Sequence, residues 1–505
     1  MKKKFAKLLG YDPVAKKTSF RTEIVAGIVT FLAMAYILTV NPSSIFYAGP
    51  ADPRWSSLFI ATAFGAIIGT LLMAFLAKMP LAQAPGMGLN SLVGSIIGGG
   101  VGAFSYGFSF SLGQAFMMVL ISGIVFLVLS VIRIKGKTFR ELIFDGMPVA
   151  VRGSISVGIG LFIAYIGFQN SGIIVHNPYT QVGFVDFTNW GAQIVNSGKD
   201  PMFAAKAAVV ALTGLFVIAI LDKFRVKGSI IIGIATATLI GIPLNITNLS
   251  YLSGNEPGIS WKFWENFANF FTIGENSVFG SFTSVFTEGF PAGSIFTVIM
   301  IVITMCMIDM FDTMGTIVGC CGGNRILSDE NDKPHNYGKI MLSDSIATCT
   351  GAMLGTSTVT TFVESGAGVS AGGRTGLTAL TTAIMFVLAL FAMPLFAVIP
   401  GAAAASALIY VGVLMMKNNF KSIDFSTPIK ATSAFLTIVV MLLSYSITKG
   451  IGIGLLSYVI MSIVAYIFGL IKYAVKKDEK PVWDISVVAI IVSLLFCAYF
   501  FIPVV

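Results

Sequence analysis

The chain has 505 residues, 56% of them hydrophobic and 11% charged, with a mean hydropathy of +0.88. A soluble domain carries roughly 25% charged residues, so this chain lacks the charge to cover a water-facing surface. Its apolar runs recur at lengths that cross about 30 Å of hydrocarbon. The class that follows is a polytopic α-helical membrane protein; a β-barrel is excluded because the runs are continuous rather than alternating in segments of about ten residues.

The formal charge of +9 is not a nucleic-acid signal. Span by span, most of the 32 Lys and Arg share a side with the N-terminal "MKKKFAKLLGYDPVAKKTSFR", and the positive-inside rule places that side in the cytoplasm. The N-terminus is no secretory signal, because the first apolar stretch is too long and lacks a small-residue cleavage site. The five cysteines (Cys306, Cys320, Cys321, Cys349 and Cys497) form no CxxC pattern and imply no disulfide framework. The two histidines, His176 and His335, fall in predicted loops. A His-based metal cluster and a Ser-His triad are thereby set aside, and neither a metal nor a cofactor is expected.

In chain order, spans are predicted at 24–42, 57–77, 86–101, 113–133, 148–168, 203–221 and 228–243. They resume at 294–318, 339–355, 360–373, 375–397, 400–416, 429–447 and 450–471, with a further apolar run at 483–502 whose crossing the pattern leaves open. Runs 86–101 and 360–373 are short and glycine-rich. Loops 169–202 and 244–293 carry few Lys or Arg and are read as extracytoplasmic; loops 134–147, 222–227 and 319–338 are read as cytoplasmic.

Two halves of this pattern repeat. "QAPGMGLNSLVG" (83–94) parallels "VESGAGVSAGG" (363–373), "MPVAVRGSISVGIGLFIAYIG" (147–167) parallels "IPGAAAASALIYVGVLMM" (399–416), and "FRVKGSIIIGI" (224–234) parallels "SITKGIGIGL" (446–455). On the span count Lys227 lies inside and Lys449 outside, so the second half is the first turned upside down. Inverted repeats with one interrupted helix per half mark secondary transporters. An interrupted helix leaves backbone groups unsatisfied at membrane depth, which is tolerated only where they line a cavity or are buried in protein. Pro85 and the G-x-G pairs Gly86/Gly88 and Gly366/Gly368 are expected to break helix and to let a ligand approach backbone. The competing reading is a close-packing face of small residues; the matched positions in two inverted halves favour a site.

Of the 23 Asp and Glu, only Asp309, Asp312 and Glu364 fall clearly inside spans, with Asp344 near a span end. A carboxylate at the centre of a span costs roughly 2.5–3.5 kcal/mol on insertion scales, so three of them point to function. Asp309 and Asp312, spaced i, i+3, share one helical face. An ionised carboxylate accepts two N–H donors side by side, and its neutral form donates one bond. That chemistry matches a flat heterocycle with N–H and C=O on one edge, and a membrane acid that gains and loses a proton is the usual element of proton coupling. Arg152 and Arg374 are read as interface anchors.

"LAQAPGMGLNSLVG", "FVESGAGVSAGGRTGLTAL" and "IDMFDTMGT" together resemble the nucleobase:cation symporter-2 superfamily, and within it the hypoxanthine/guanine/adenine (AzgA-like) permeases. The resemblance runs from about residue 18 to the last span. It implies a fourteen-helix, seven-plus-seven inverted fold like that of uracil permeases, with short β-like strands before the third and tenth helices. It divides the chain into a cytoplasmic segment 1–23, a core domain (24–142 and 294–398), a gate domain (143–243 and 399–472), an extracytoplasmic loop 244–293 and the extra segment 483–502. Carried over, Glu364 resembles the tenth-helix acid that hydrogen-bonds the base, Asp309 the eighth-helix acid on its other edge, and Asp312 a supporting acid. The three form the proton-coupling set. Asn90 and Ala84 belong to the first strand–helix motif, Phe362 is a stacking candidate, and Ser365 follows the tenth-helix acid where uracil- and xanthine-type relatives carry an amide. Those relatives also have Glu at the place of Asp309, so the departures fit the purine branch.

The resemblance further implies proton-coupled uptake of a purine by an elevator-like movement, in a homodimer in the plasma membrane, for a bacterium the cytoplasmic membrane. An enzyme is not expected. A carrier of the same fold for uracil, xanthine or an inorganic anion is the alternative, and three acids argue against an anion. An intramembrane aspartyl protease needs aspartates on separate helices, and here the two share one. A passive channel is disfavoured by the interrupted repeats.

Overall fold

The computed structural model describes residues 3–46, 49–97, 110–134, 137–138, 146–177, 181–187, 203–226, 228–254, 259–272, 277–321, 326–328, 334–476 and 482–501. After the short α1 (Lys3–Leu8), helix α2 (Phe20–Met34) starts where Ser19 accepts from the Thr22 amide. It breaks at Ala35–Tyr36 before α3 (Ile37–Ile45), and α4 (Trp55–Leu72) follows. Strand β1 (Gln83–Pro85) leads into α5 (Met87–Ile96), then α6 (Leu112–Val131), α7 (Val149–Asn170), α8 (Phe203–Lys223) and α9 (Ser229–Gly241). The next loop carries α10 (Phe263–Phe271). The second half runs α11 (Ile295–Cys321), α12 (Tyr337–Leu354), β2 (Val359–Thr361), α13 (Ser365–Ser370), α14 (Gly376–Leu390), α15 (Gly401–Asn419), α16 (Pro428–Leu443), α17 (Ile447–Lys476) and α18 (Val487–Phe501).

The predicted spans fall on these helices with small shifts at their ends. Among the described residues, six stretches are long and apolar enough to cross a membrane, including Phe20–Ile45, Trp55–Ala77 and Val149–Asn170. The shorter apolar helices include α5, α9, α14 and α16. One expectation is corrected: 360–373 is not a helical run but a strand followed by a six-residue helix. The β-branched Val359, Thr360 and Thr361 favour the extended form, and a paired strand keeps its amides satisfied. Residues of the run 86–101 beyond 97, the expected boundary at 142–143 and Lys227 lie outside the described residues. The run 483–502 forms α18, packed on α17 and α11. At 1.5 Å per residue its 15 residues are shorter than the hydrocarbon core.

The two halves meet at their matching motifs. β1 and β2 pair antiparallel with Ala84 opposite Thr360. The ladder is extended by Gly86 N to Thr358 O (2.9 Å) and Phe362 N to Ala82 O (3.0 Å). Two interrupted helices thus satisfy each other's backbone where lipid could not. The counterpart helices α7 and α15 also meet at matching glycines. A Cβ on Gly412 would lie 2.4 Å from Gly160 O, and one on Gly160 would lie 3.0 Å from Gly412 O. Only small residues permit that backbone approach.

Packing falls into two groups. Helices α2, α4, α6, α11, α12 and α14 pack chiefly on one another, as do α7, α8, α9, α15, α16 and α17. Lys430, in the first turn of α16, reaches Asp424 in the loop before it at 2.7 Å and holds that carboxyl down to about 2.

Candidate functional site

The strand pair places the starts of α5 and α13 at one point in the interior, and the membrane acids gather around it. Glu364 is the residue before α13 and is 7% exposed. Its Oε1 accepts from the hydroxyl of Tyr36, a buried residue at the break between α2 and α3. Asp312, half-buried on α11, points the same way: its Oδ2 lies 3.8 Å from where a Cβ on Gly86 would stand. It is within Coulombic range of Glu364 and Asp344.

Asp309, one turn earlier on α11, is buried and accepts from Thr348 Oγ1 of α12 at 3.2 Å. The i, i+3 pair therefore serves two surfaces, with Asp312 toward the crossing and Asp309 toward α12. Asp344 corrects the reading that set it near a span end. It lies two turns inside α12 and is fully buried. Its carboxylate accepts from Thr313 Oγ1 at 2.8 Å and from Gln83 Nε2 of β1 at 3.1 Å, with Thr361 Oγ1 of β2 at 3.5 Å. Thr313 also meets Thr360 Oγ1 at 2.7 Å. One acid thus holds both strands to α11.

The remaining motif residues shape the crossing. The Asn90 amide donates to Pro85 O at 3.2 Å and accepts from the Ser357 hydroxyl. Ala84 is fully buried in β1, and Phe362 is packed in the main apolar core. Ser365 Oγ accepts from Ala82 N at 3.0 Å, tying α13 to β1.

The glycines divide in a way the motif did not reveal. A Cβ on Gly86 would come within 2.5 Å of Thr360 Cγ2, so this glycine sets the strand spacing. On Gly88 it would meet Ile159 Cγ2 at 3.0 Å, and on Gly368 it would meet Thr30 Oγ1 at 2.0 Å. Both are packing positions against neighbouring helices. Gly366 and Gly368 lie inside α13, and the break falls upstream, between Thr361 and Glu364. Arg374 is no loose anchor: its Nη1 donates to Val369 O (2.5 Å) and Gly373 O (2.7 Å), closing the C-terminal end of α13. Buried Glu23 accepts from Arg374 N at 3.0 Å and Thr378 Oγ1 at 2.5 Å.

Tyr36, Gln83, Thr313 and Asp344 were not singled out from sequence. Gln83 and Asp344 carried a usable signal, polar residues within or beside apolar runs. Tyr36, in "LAMAYILTV", carried none.

Interrupted helices joined by a strand pair, with carboxylates at their meeting point, fit a polytopic membrane carrier. The chain belongs to the Permease family (Xan_ur_permease), which it matches over residues 21–453. It is 33% identical over 479 residues to the adenine permease AdeP of Escherichia coli (strain K12), covering 95% of this chain and 92% of that one. It is 34% identical over 458 residues to the guanine/hypoxanthine permease PbuO of Bacillus subtilis (strain 168), covering 88% and 92%. In fold it is similar to the transmembrane domain of a cyanobacterium bicarbonate transporter, BicA, with a TM-score of 0.55 at 18% identity, covering 86% of this chain and 98% of that one.

Proposed function

We propose that the chain is a secondary active transporter that carries a purine nucleobase (hypoxanthine, guanine or adenine) into the cell together with a proton. The observation that carries this reading is the cluster of Glu364, Asp312 and Tyr36 at the strand crossing, in a chain whose close relatives are named adenine and guanine/hypoxanthine permeases. Glu364 accepts N–H groups on one edge of the base, Asp312 of α11 serves its other polar edge, and Asp309 supports the site from the α12 side. Phe362, Ser365, Asn90 and Ala84 shape the pocket. A carboxylate that is neutral in one step and ionised in another couples the base to a proton.

The two packing groups correspond to a core that carries the site and a gate that stays fixed, in a fourteen-helix arrangement assembled as a homodimer. The N-terminus lies in the cytoplasm. The test is uptake of radiolabelled purines into proteoliposomes under an inward proton gradient. Concentrative uptake of at least one of the three purines, collapsed by a protonophore, is expected. Failure of all three while another solute accumulates overturns the substrate.

A further inference from the structure

On the membrane face opposite the N-terminus, a cavity of about 330 Å³ opens between α3 of one packing group and α7, α8 and α15 of the other. That volume is in the range of about 300–1,000 Å³ typical of small-molecule sites. Its described lining contains no charged side chain, which is unexpected at a rim where loops are wet and charges cost little. It offers instead hydroxyls and amides (Ser43, Ser44, Asn170 and Asn248) together with two aromatic rings, Phe203 and Tyr251. Among the described residues, the Ser43 and Ser44 hydroxyls and the Asn170 amide have no hydrogen-bond partner in the protein. The floor is the Ala397–Gly401 segment, which joins α14 and its short extension to α15, and so connects the two packing groups.

Uncharged donors and acceptors beside aromatic faces select a neutral, flat, hydrogen-bonding ring and give an ion nothing to pair with. We propose that this cavity is a capture subsite for the neutral nucleobase, occupied before the base reaches the crossing. This rests on the function proposed above. Its affinity is lower than that of the central site, because it lacks the charge-assisted bonds that Glu364 supplies. Its position against the connecting segment puts capture at the seam that opens when one group moves past the other.

Gly401 gives a clean way to fill it. It lines the cavity, its φ is ordinary, and no atom lies within 4 Å of where a Cβ would stand. In purified protein, titration with the tritiated purine that is transported is expected to show two binding components, one tight and one weak. Glu364→Gln removes the tight component and leaves the weak one; Gly401→Trp removes only the weak one. Asn170→Leu, which keeps the volume but loses the amide, also weakens only the second component. Losing one neutral hydrogen bond, worth about 0.5–1.5 kcal/mol, raises the KM for uptake from that face by roughly 3- to 10-fold, with maximal rate retained. A single binding component, unchanged by Gly401→Trp and Asn170→Leu with KM also unchanged, overturns the subsite while leaving the transport function standing. Absence of any purine binding to the unmodified protein overturns both.

Discussion

After β1 the chain passes Pro85 and Gly86 into α5, and the polar side chains of that half are neutral amides already spent on the protein: Asn90 on Pro85 and Ser357, Gln83 on Asp344. After β2 it passes Phe362 and Val363 to Glu364, whose carboxylate is held by Tyr36 from the opposite half. The strands are the same length and paired residue for residue. The first half contributes backbone and neutral side chains to the crossing and the second its charge, on a strand ladder that the two halves share.

The strongest way to break that comparison is Glu364→Gln. If the second half supplies the charge, loss of a charge-assisted bond worth about 1.5–3 kcal/mol lowers purine affinity by roughly 10- to 150-fold and ends proton-driven accumulation. Full concentrative uptake with an unaltered pH profile would place recognition elsewhere.

Next come the glycines. Gly86→Ala puts a methyl 2.5 Å from Thr360 Cγ2, and overpacking of this kind costs about 1–3 kcal/mol. Transport is expected to fall sharply with the protein still inserted. Gly366→Ala, whose nearest atom is Cys320 Sγ at 3.5 Å, is expected to be near neutral. If both behave alike in the uptake assay, the glycines do not set the strand spacing.

Asp344→Ala tests what holds the halves together. It takes the shorter partner from the buried Gln83 amide of β1, which keeps only Thr361 Oγ1 at 3.4 Å, at about 1–3 kcal/mol, read as a lower melting temperature in detergent. Asp344→Asn recovers part of that loss because its amide oxygen still accepts. Equal melting of all three proteins would mean that the strand ladder alone fixes the crossing.

Most of the fold was legible because lipid imposes one rule: apolar runs of crossing length become helices. The meeting of the two interrupted segments was legible because glycine-rich motifs recur at matched positions. The site was half legible. Glu364 and the α11 acids are anomalous in any apolar run, whereas Tyr36 matters only because the fold brings its hydroxyl to Glu364, far away in the chain. The different jobs of Gly86, Gly366 and Gly368 depend on what lies across from each, which no local motif encodes.

Tyr36→Phe is the subtlest test, since it alters the charged half from within the uncharged one. The substitution keeps the ring, which is 2% exposed, and deletes only the hydroxyl that donates to Glu364. The carboxylate keeps its other acceptor positions, so binding survives, but the side chain loses the contact that fixes its direction. An indirect loss of this sort is expected to stay near that of one ordinary hydrogen bond, about 0.5–1.5 kcal/mol, or a rise in KM of roughly 3- to 10-fold at nearly unchanged maximal rate. A loss as deep as that of Glu364→Gln would mean that Tyr36 itself touches the base. An unchanged KM would mean that the start of α13 orients Glu364 without help from the first half, and the division of labour between the halves would then be complete.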